Sequence, residues 1–180
     1  MKTTKLLTLT LMSAVTLCHG DQPGDYGGQV WSFDPTFNAS SISLNSGTAR
    51  YTKIYSQGTI NVSAVEFIAL KGSSNLTVGV SIYQAGKLLV SSASAGVAKG
   101  VNTITIPGKV FSGYANVYLS ISGTDTNLAL SGMTVNPTPL LINDTATNNW
   151  KSGLGSSAGV TNATEPAMNY STDVLWLMLK

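Results

Sequence analysis

Apolar and polar residues alternate with a period of two along most of the chain after residue 60, and helical periodicity is nearly absent. From Ile60 to Leu70, Val65, Phe67 and Ala69 fall on one side and Glu66, Ile68 and Leu70 on the other. Both sides are largely apolar, which predicts an interior strand. Thr77 to Tyr83 alternates more cleanly, with Val78, Val80 and Ile82 inward and Gly79, Ser81 and Tyr83 outward. Gln84-Ala85-Gly86 reads as a turn and Lys87 to Ser92 as the returning strand of a hairpin. Asn102 to Ile106 points Ile104 and Ile106 inward. Ala115 to Ile121 points Ala115, Val117, Leu119 and Ile121 inward and leaves Asn116, Tyr118 and Ser120 outside. Asn127 to Met133 predicts a short strand. Thr172 to Leu179 predicts the last one, with Leu175, Leu177 and Leu179 on one face and Val174, Trp176 and Met178 on the other.

Two stretches lack this pattern. Residues 21–46 contain Pro23, Pro35 and several glycines and read as an irregular segment wrapping a sheet edge. Asn136 to Ser171 is rich in Asn, Thr, Gly and Ser, and a structureless loop that long is uncommon without a function. Short strands are expected within it around Pro139–Ile142 and Trp150–Leu154. Strands separated by Gly, Ser and Asn turns predict an all-β fold, an antiparallel β-sandwich or jelly roll.

The first twenty residues change how the composition is read. Lys2 and Lys5 precede an apolar run from Leu6 to Leu17, followed by Cys18-His19-Gly20. This is the layout of a secretory signal peptide. The run is shorter than the roughly 20 residues needed to span a bilayer. Lipid attachment at Cys18 is the alternative, though Leu17 is larger than the residue such a site normally has before its cysteine. The expectation is a signal peptide over 1–20, a single β-sandwich domain over 21–180, and no transmembrane segment in the mature chain, which would be secreted, displayed at a surface or periplasmic.

Removing residues 1–20 takes away the chain's one Cys and one His and leaves eight basic residues against eight acidic ones. Ser-His-Asp and Cys-His triads, disulfides and the usual zinc sites are then excluded. A neutral chain with Arg50 as its one arginine cannot neutralise a phosphate backbone, so nucleic acid is excluded as a partner. Glycoside hydrolysis needs two carboxylates at a set separation. Asp21, Asp25, Asp34, Glu66, Asp125, Asp144, Glu165 and Asp173 show no such spacing and read as solvated loop acids. No cofactor is indicated. A Ca²⁺ site could draw on Asp25, Asp34, Asp125, Asp144 and Asp173, but no calcium-loop signature is present.

The aromatic residues carry more information. A flat ring packs against the apolar face of a pyranose while amides and carboxylates take its hydroxyls. One candidate group is on loops: Trp31, Asn148, Asn149 and Trp150. The other is on the predicted outer strand face: Tyr83 and Tyr118. The competing expectation is that the tryptophans plug the ends of the fold and the tyrosines are ordinary strand residues. Six Asn-x-Ser/Thr sequons, at Asn38, Asn61, Asn75, Asn143, Asn162 and Asn169, would accept glycans in a eukaryotic secretory pathway.

The order of features runs from Ile60-Asn61-Val62-Ser63-Ala64-Val65-Glu66-Phe67 through Val78-Gly79-Val80-Ser81-Ile82-Tyr83 and Gly86-Lys87-Leu88-Leu89. It continues through Asn116-Val117-Tyr118-Leu119-Ser120-Ile121 to Asn149-Trp150 and Asp173-Val174-Leu175-Trp176-Leu177. This resembles the discoidin-like (galactose-binding-like) jelly-roll modules of bacterial surface proteins and of phage tail and receptor-binding proteins, over about residues 50–180. The resemblance implies a jelly roll with an adhesive or ligand-binding, non-catalytic role. The expectation of a single domain departs from that pattern, in which such modules usually sit beside other domains. Two functions are therefore expected to compete. One is a binding module for glycans or a cell-surface receptor. The other is a self-associating subunit of a matrix, coat or appendage.

Overall fold

Two strands far longer than the usual five or six residues organise the molecule. They are β4 (Thr48–Ala69) and β7 (Gly100–Gly123), and they pair antiparallel along their whole length, from Ala49 opposite Ser120 to Ala69 opposite Gly100. The computed structural model describes residues 25–26, 29–32, 40–134 and 152–180. Every regular element among them is a β-strand and every pairing is antiparallel. No helix among the described residues is long and apolar enough to cross a membrane.

On the far side of β7, residues Asn116–Gly123 pair with β5 (Ser73–Gln84), and β5 pairs with β6 (Lys87–Val97). On the far side of β4, the first half pairs with β9 (Ser152–Ser156), which pairs with β10 (Asn169–Ser171). The second half of β4 pairs with β12 (Leu177–Leu179), then come β2 (Gln29–Trp31) and β1 (Asp25–Tyr26). β8 (Asn127–Thr134) carries β3 (Ser40–Asn45) and β11 (Asp173–Leu175), and meets β4 where Leu130 faces Ala69.

At about 3.3 Å per residue, a straight 24-residue strand would run about 80 Å. Instead Ile54, Phe67, Ile104 and Leu119, from both halves of the long pair, share one hydrophobic cluster with Val80 and Leu177. The long pair therefore curves. Two register shifts interrupt it, between Ser56 and Ile60 and between Val62 and Ala64, and bulges of this kind bend a strand. Gly113, opposite Ser56, has φ 75°, a left-handed conformation that glycine adopts without steric cost. Pro107 and Gly108 fall in the second bulge, where Pro's missing N–H breaks no ladder bond.

The second bulge also explains an oddity of the sequence. Ile60 and Val62 are buried in one phase, Val65 and Phe67 in the other, so β4 looks apolar on both sides. The side bearing Ile68 is itself partly covered, by Val174, Trp176, Met133 and Met178.

Most of the expected strands are present with the expected inward residues, and three boundaries are corrected. The stretches at 102–106 and 115–121 are one strand. The irregular 21–46 segment contains β1, β2 and β3, and in β3 Ile42 and Leu44 are buried. The closing strand is interrupted at Trp176, where the chain leaves β8 and joins β4. Ser32 spans that break, its hydroxyl donating to the Leu175 carbonyl at 2.8 Å and accepting from the Leu177 N–H at 3.0 Å. The short strand expected at Trp150–Leu154 is β9, two residues later; Pro139–Ile142 lies outside the described residues.

The β5–β6 turn matches expectation and carries strain. Gln84 pairs with Lys87 across Ala85 and Gly86, whose φ values are 50° and 76°. Both central residues of such a turn need positive φ, which alanine resists by about 1 kcal/mol. Ala85 is exposed and has no packing to lose. Ala85→Asn should therefore raise stability by about 0.5–1 kcal/mol, read as a higher urea midpoint at unchanged slope.

Candidate functional site

Because cross-strand partners share a sheet face, the register puts residues of one parity side by side. On β4 these are Tyr51, Lys53 and Tyr55. On β7 the residues opposite them are Tyr118, Asn116 and Tyr114. Across β5, Tyr83 faces Asn116 and Ser81 faces Tyr118. Across β9, Gly153 faces Tyr51, and Tyr170 of β10 faces Gly153. Six of the chain's seven tyrosines thus occupy the face opposite the main core.

The rings touch. Tyr51 and Tyr118 have centroids 5.1 Å apart, Tyr83 and Tyr118 5.2 Å apart edge to face, and Tyr55 and Tyr114 4.6 Å apart. Such pairs add to simple area burial. The Lys53 ammonium lies 3.9 Å from the centre of the Tyr114 ring, a cation–π contact. Gly153 makes room for Tyr51, because a β-carbon there would collide with the Tyr51 ring.

Residues 157–168, between β9 and β10, form a strap over part of this face. The strap bonds along the β5–β6 turn, with the Leu88 N–H on the Ala163 carbonyl at 3.0 Å and the Glu165 N–H on the Gly86 carbonyl at 2.9 Å. Underneath, the Tyr83 hydroxyl donates to a pair of strap carbonyls, Asn162 at 2.7 Å and Val160 at 2.9 Å. One oxygen of Glu165, Oε1, accepts from Asn116 Nδ2 and from the Tyr118 hydroxyl, each at 2.7 Å. Val160 and Met168 complete an apolar cluster with Ala49, Tyr83, Tyr118, Tyr51 and Leu88.

Tyr83 and Tyr118 therefore need correcting. They lie on the predicted face, but each is only 1% exposed because the strap covers it. Trp31 lies in β2 with its backbone opposite Met178. Asn148, Asn149 and Trp150 lie outside the described residues. What the strap leaves open is a different set: half-buried Tyr51, Lys53, Tyr55, Tyr114 and Asn116, with Tyr170 59% exposed and the strap's own Glu165 half-buried beside Asn116. Sequence reasoning missed Tyr51, Tyr55, Tyr114 and Tyr170. The one signal for the first two was their spacing with Lys53, at every second position.

Burial holds the phenolic protons. Tyr118 is pushed well above the usual tyrosine range, first by burial, then by its bond to Glu165 and the nearby carboxylate charge. Tyr51 and Tyr83 are raised by the same burial and by the Glu165 charge, Tyr51 also by Tyr170. A raised folded value makes the folded state hold protons that the unfolded state gives up. This contribution is complete below the unfolded value of about 10 and is lost as pH rises above it. The melting temperature should fall above about pH 10, and less steeply in Tyr118→Phe, as thermal scans across alkaline pH would show.

Glu66, Asp173 and Asp125 are also engaged. Glu66, buried rather than a solvated loop acid, contacts Lys180 and accepts from Thr103 at 2.9 Å. Asp173 lies 3.3 Å from Arg50 and accepts from Thr134, and Asp125 accepts from Ser73. Among the described residues no three acids, histidines or cysteines cluster as a metal site. A pocket of about 240 Å³ lined by Lys71, Ser73, Asp125 and Asn127 lies beside the β4–β5 turn. No protein-family model matches the chain, and no curated protein matches it.

Proposed function

We propose that the chain is an exported, non-catalytic binding module whose curved sheet packs as a jelly-roll β-sandwich, and that it takes a cell-surface glycan on the open part of the tyrosine face. The observation that carries this reading is the pairing of half-exposed Tyr55 and Tyr114 beside Lys53, Asn116 and Glu165. Paired long strands fix the rings, so little conformational freedom is lost on binding. Asn116, Lys53 and Glu165 supply amide, ammonium and carboxylate groups for sugar hydroxyls. The engagement of Glu66, Asp125, Glu165 and Asp173 by neighbouring donors or cations supports a binding role over a carboxylate-driven hydrolysis. Asn148, Asn149 and Trp150, together with Trp31 of β2, remain a proposed second contact surface.

A glycan-array screen of the purified protein tests the reading. Tyr114→Ala should weaken binding to the best glycan at least tenfold, about 1.4 kcal/mol. The melting temperature should change little, because the Tyr114 ring is half-exposed. An array with no hits, or unchanged binding by the variant, would reject the site.

One feature favours the self-assembling alternative. From Leu89 to Val97, past the strap contacts at Lys87 and Leu88, the β6 edge strand has no charged residue, and among the described strands it pairs with β5 alone. Natural edges usually carry charges or prolines that discourage pairing between copies. Concentration-dependent growth in particle size, abolished by Ala93→Lys, would shift weight to that reading.

A further inference from the structure

We propose that Tyr55 and Tyr114 are an oxidative cross-linking pair that can staple β4 to β7. The two face each other directly across the ladder, with the closest centroids of the tyrosine contacts on this face, 4.6 Å, and planes tilted by 40°. Both rings are half-exposed, so a diffusing oxidant reaches them. The neighbouring pairs differ. Tyr118 and Tyr83 are buried under the strap, so a diffusing oxidant does not reach either ring.

The location has a physical consequence. Immediately beyond the pair, the ladder is interrupted between Ser56 and Ile60, and Gly113 takes its left-handed conformation. A covalent bond here would reinforce the long strand pair where hydrogen bonding lapses. No disulfide can do this, since the sequence's one cysteine is Cys18.

The chemistry needs a one-electron oxidant, here hydrogen peroxide acting through a haem peroxidase. Each phenol gives up one electron and its hydroxyl proton. The peroxide takes both electrons and both protons and becomes two waters. The two phenoxyl radicals join through ring carbons ortho to oxygen, forming one carbon–carbon bond. The hydrogen on each joined carbon then moves to oxygen and restores both phenols. The net loss is two hydrogen atoms per pair.

The test is to treat dilute, glycan-free full-length protein with peroxide and a haem peroxidase. Expected are dityrosine fluorescence, a monomer on denaturing gels, and a cross-linked peptide pair containing Tyr55 and Tyr114 that is two hydrogens lighter. The bond closes a loop between residues 55 and 114, which should raise the melting temperature by about 10 °C. Tyr55→Phe and Tyr114→Phe should each abolish the product and the shift while remaining folded. Dityrosine formed elsewhere, for instance between chains through Tyr170, would overturn the proposal. So would fluorescence that survives either variant, or no dityrosine at all. Since no glycan is present, the outcome is independent of the binding reading.

Discussion

Replacing Leu119 with aspartate is expected to leave a chain with no cooperative melting transition. Leu119 is fully buried on β7, between Arg50 of β4 and Val80 of β5, and belongs to the main cluster. An ionised carboxylate there would lose its hydration, and the cation opposite it, Arg50, is already committed to Ser43, Ser171 and Asp173. Even the neutral acid would strand polar atoms among aliphatic ones, at several kcal/mol. A domain of this size has only about 5–15 kcal/mol of stability in total. Ser122→Asp is the control. Ser122 lies on the same strand but is exposed, so the variant should melt within about 0.5 kcal/mol of wild type. If the Leu119 variant melts cooperatively, the inward phase of β7 is wrong and the core described above does not hold.

That phase was legible in the sequence because β5 and the second half of β7 bury aliphatic residues on one side only. The first half of β4 was not legible. Its inward positions include Arg50, Thr52 and Ser56, all buried and all polar, so the alternation carries no apolar signal. Each is satisfied locally in a way the sequence does not display. Thr52 accepts from the Leu175 N–H, Ser56 donates to the Gly58 carbonyl, and Arg50 reaches Ser43, Ser171 and Asp173. Missing this half-strand meant missing Tyr51 and Tyr55, two of the six tyrosines on that face.

Tyr83 and Tyr118 show the opposite failure. Alternation says which side of a strand a residue occupies, and for both tyrosines it was right. It does not say whether something else lies over that side. The covering strap contributes Val160 and Met168 to the cluster but is otherwise small or polar residues with Pro166, so it reads as a solvated loop. Its one sequence clue was the improbable length of the loop from Asn136 to Ser171. The candidate site moved as a result, from the covered tyrosines to the uncovered ones beside them.

The other large effect is expected at Arg50, the chain's one arginine, which ties four strands together from a position only 8% exposed. Its Nε donates to the Ser43 carbonyl of β3 at 2.9 Å, and Nη1 donates to Ser171 Oγ of β10 at 3.2 Å. Nη1 also lies 3.3 Å from Asp173 Oδ2 of β11. Removing one partner of a buried ion pair leaves the other charge without compensation, at about 3–5 kcal/mol. The Asp173 side chain is 31% exposed and keeps its bond from Thr134, so water recovers part of that loss. Arg50→Ala should therefore cost about 3 kcal/mol and lower the melting temperature by about 10 °C. Arg50→Lys should rescue little, because a single ammonium cannot bond three acceptors lying in different directions as the planar guanidinium does. The pair Arg50→Ala with Asp173→Ala should lose less than the sum of the single variants, since removing both leaves no orphaned charge. A lysine variant as stable as wild type would show that Arg50 contributes charge alone, and that the junction of β3, β4, β10 and β11 is held by packing instead.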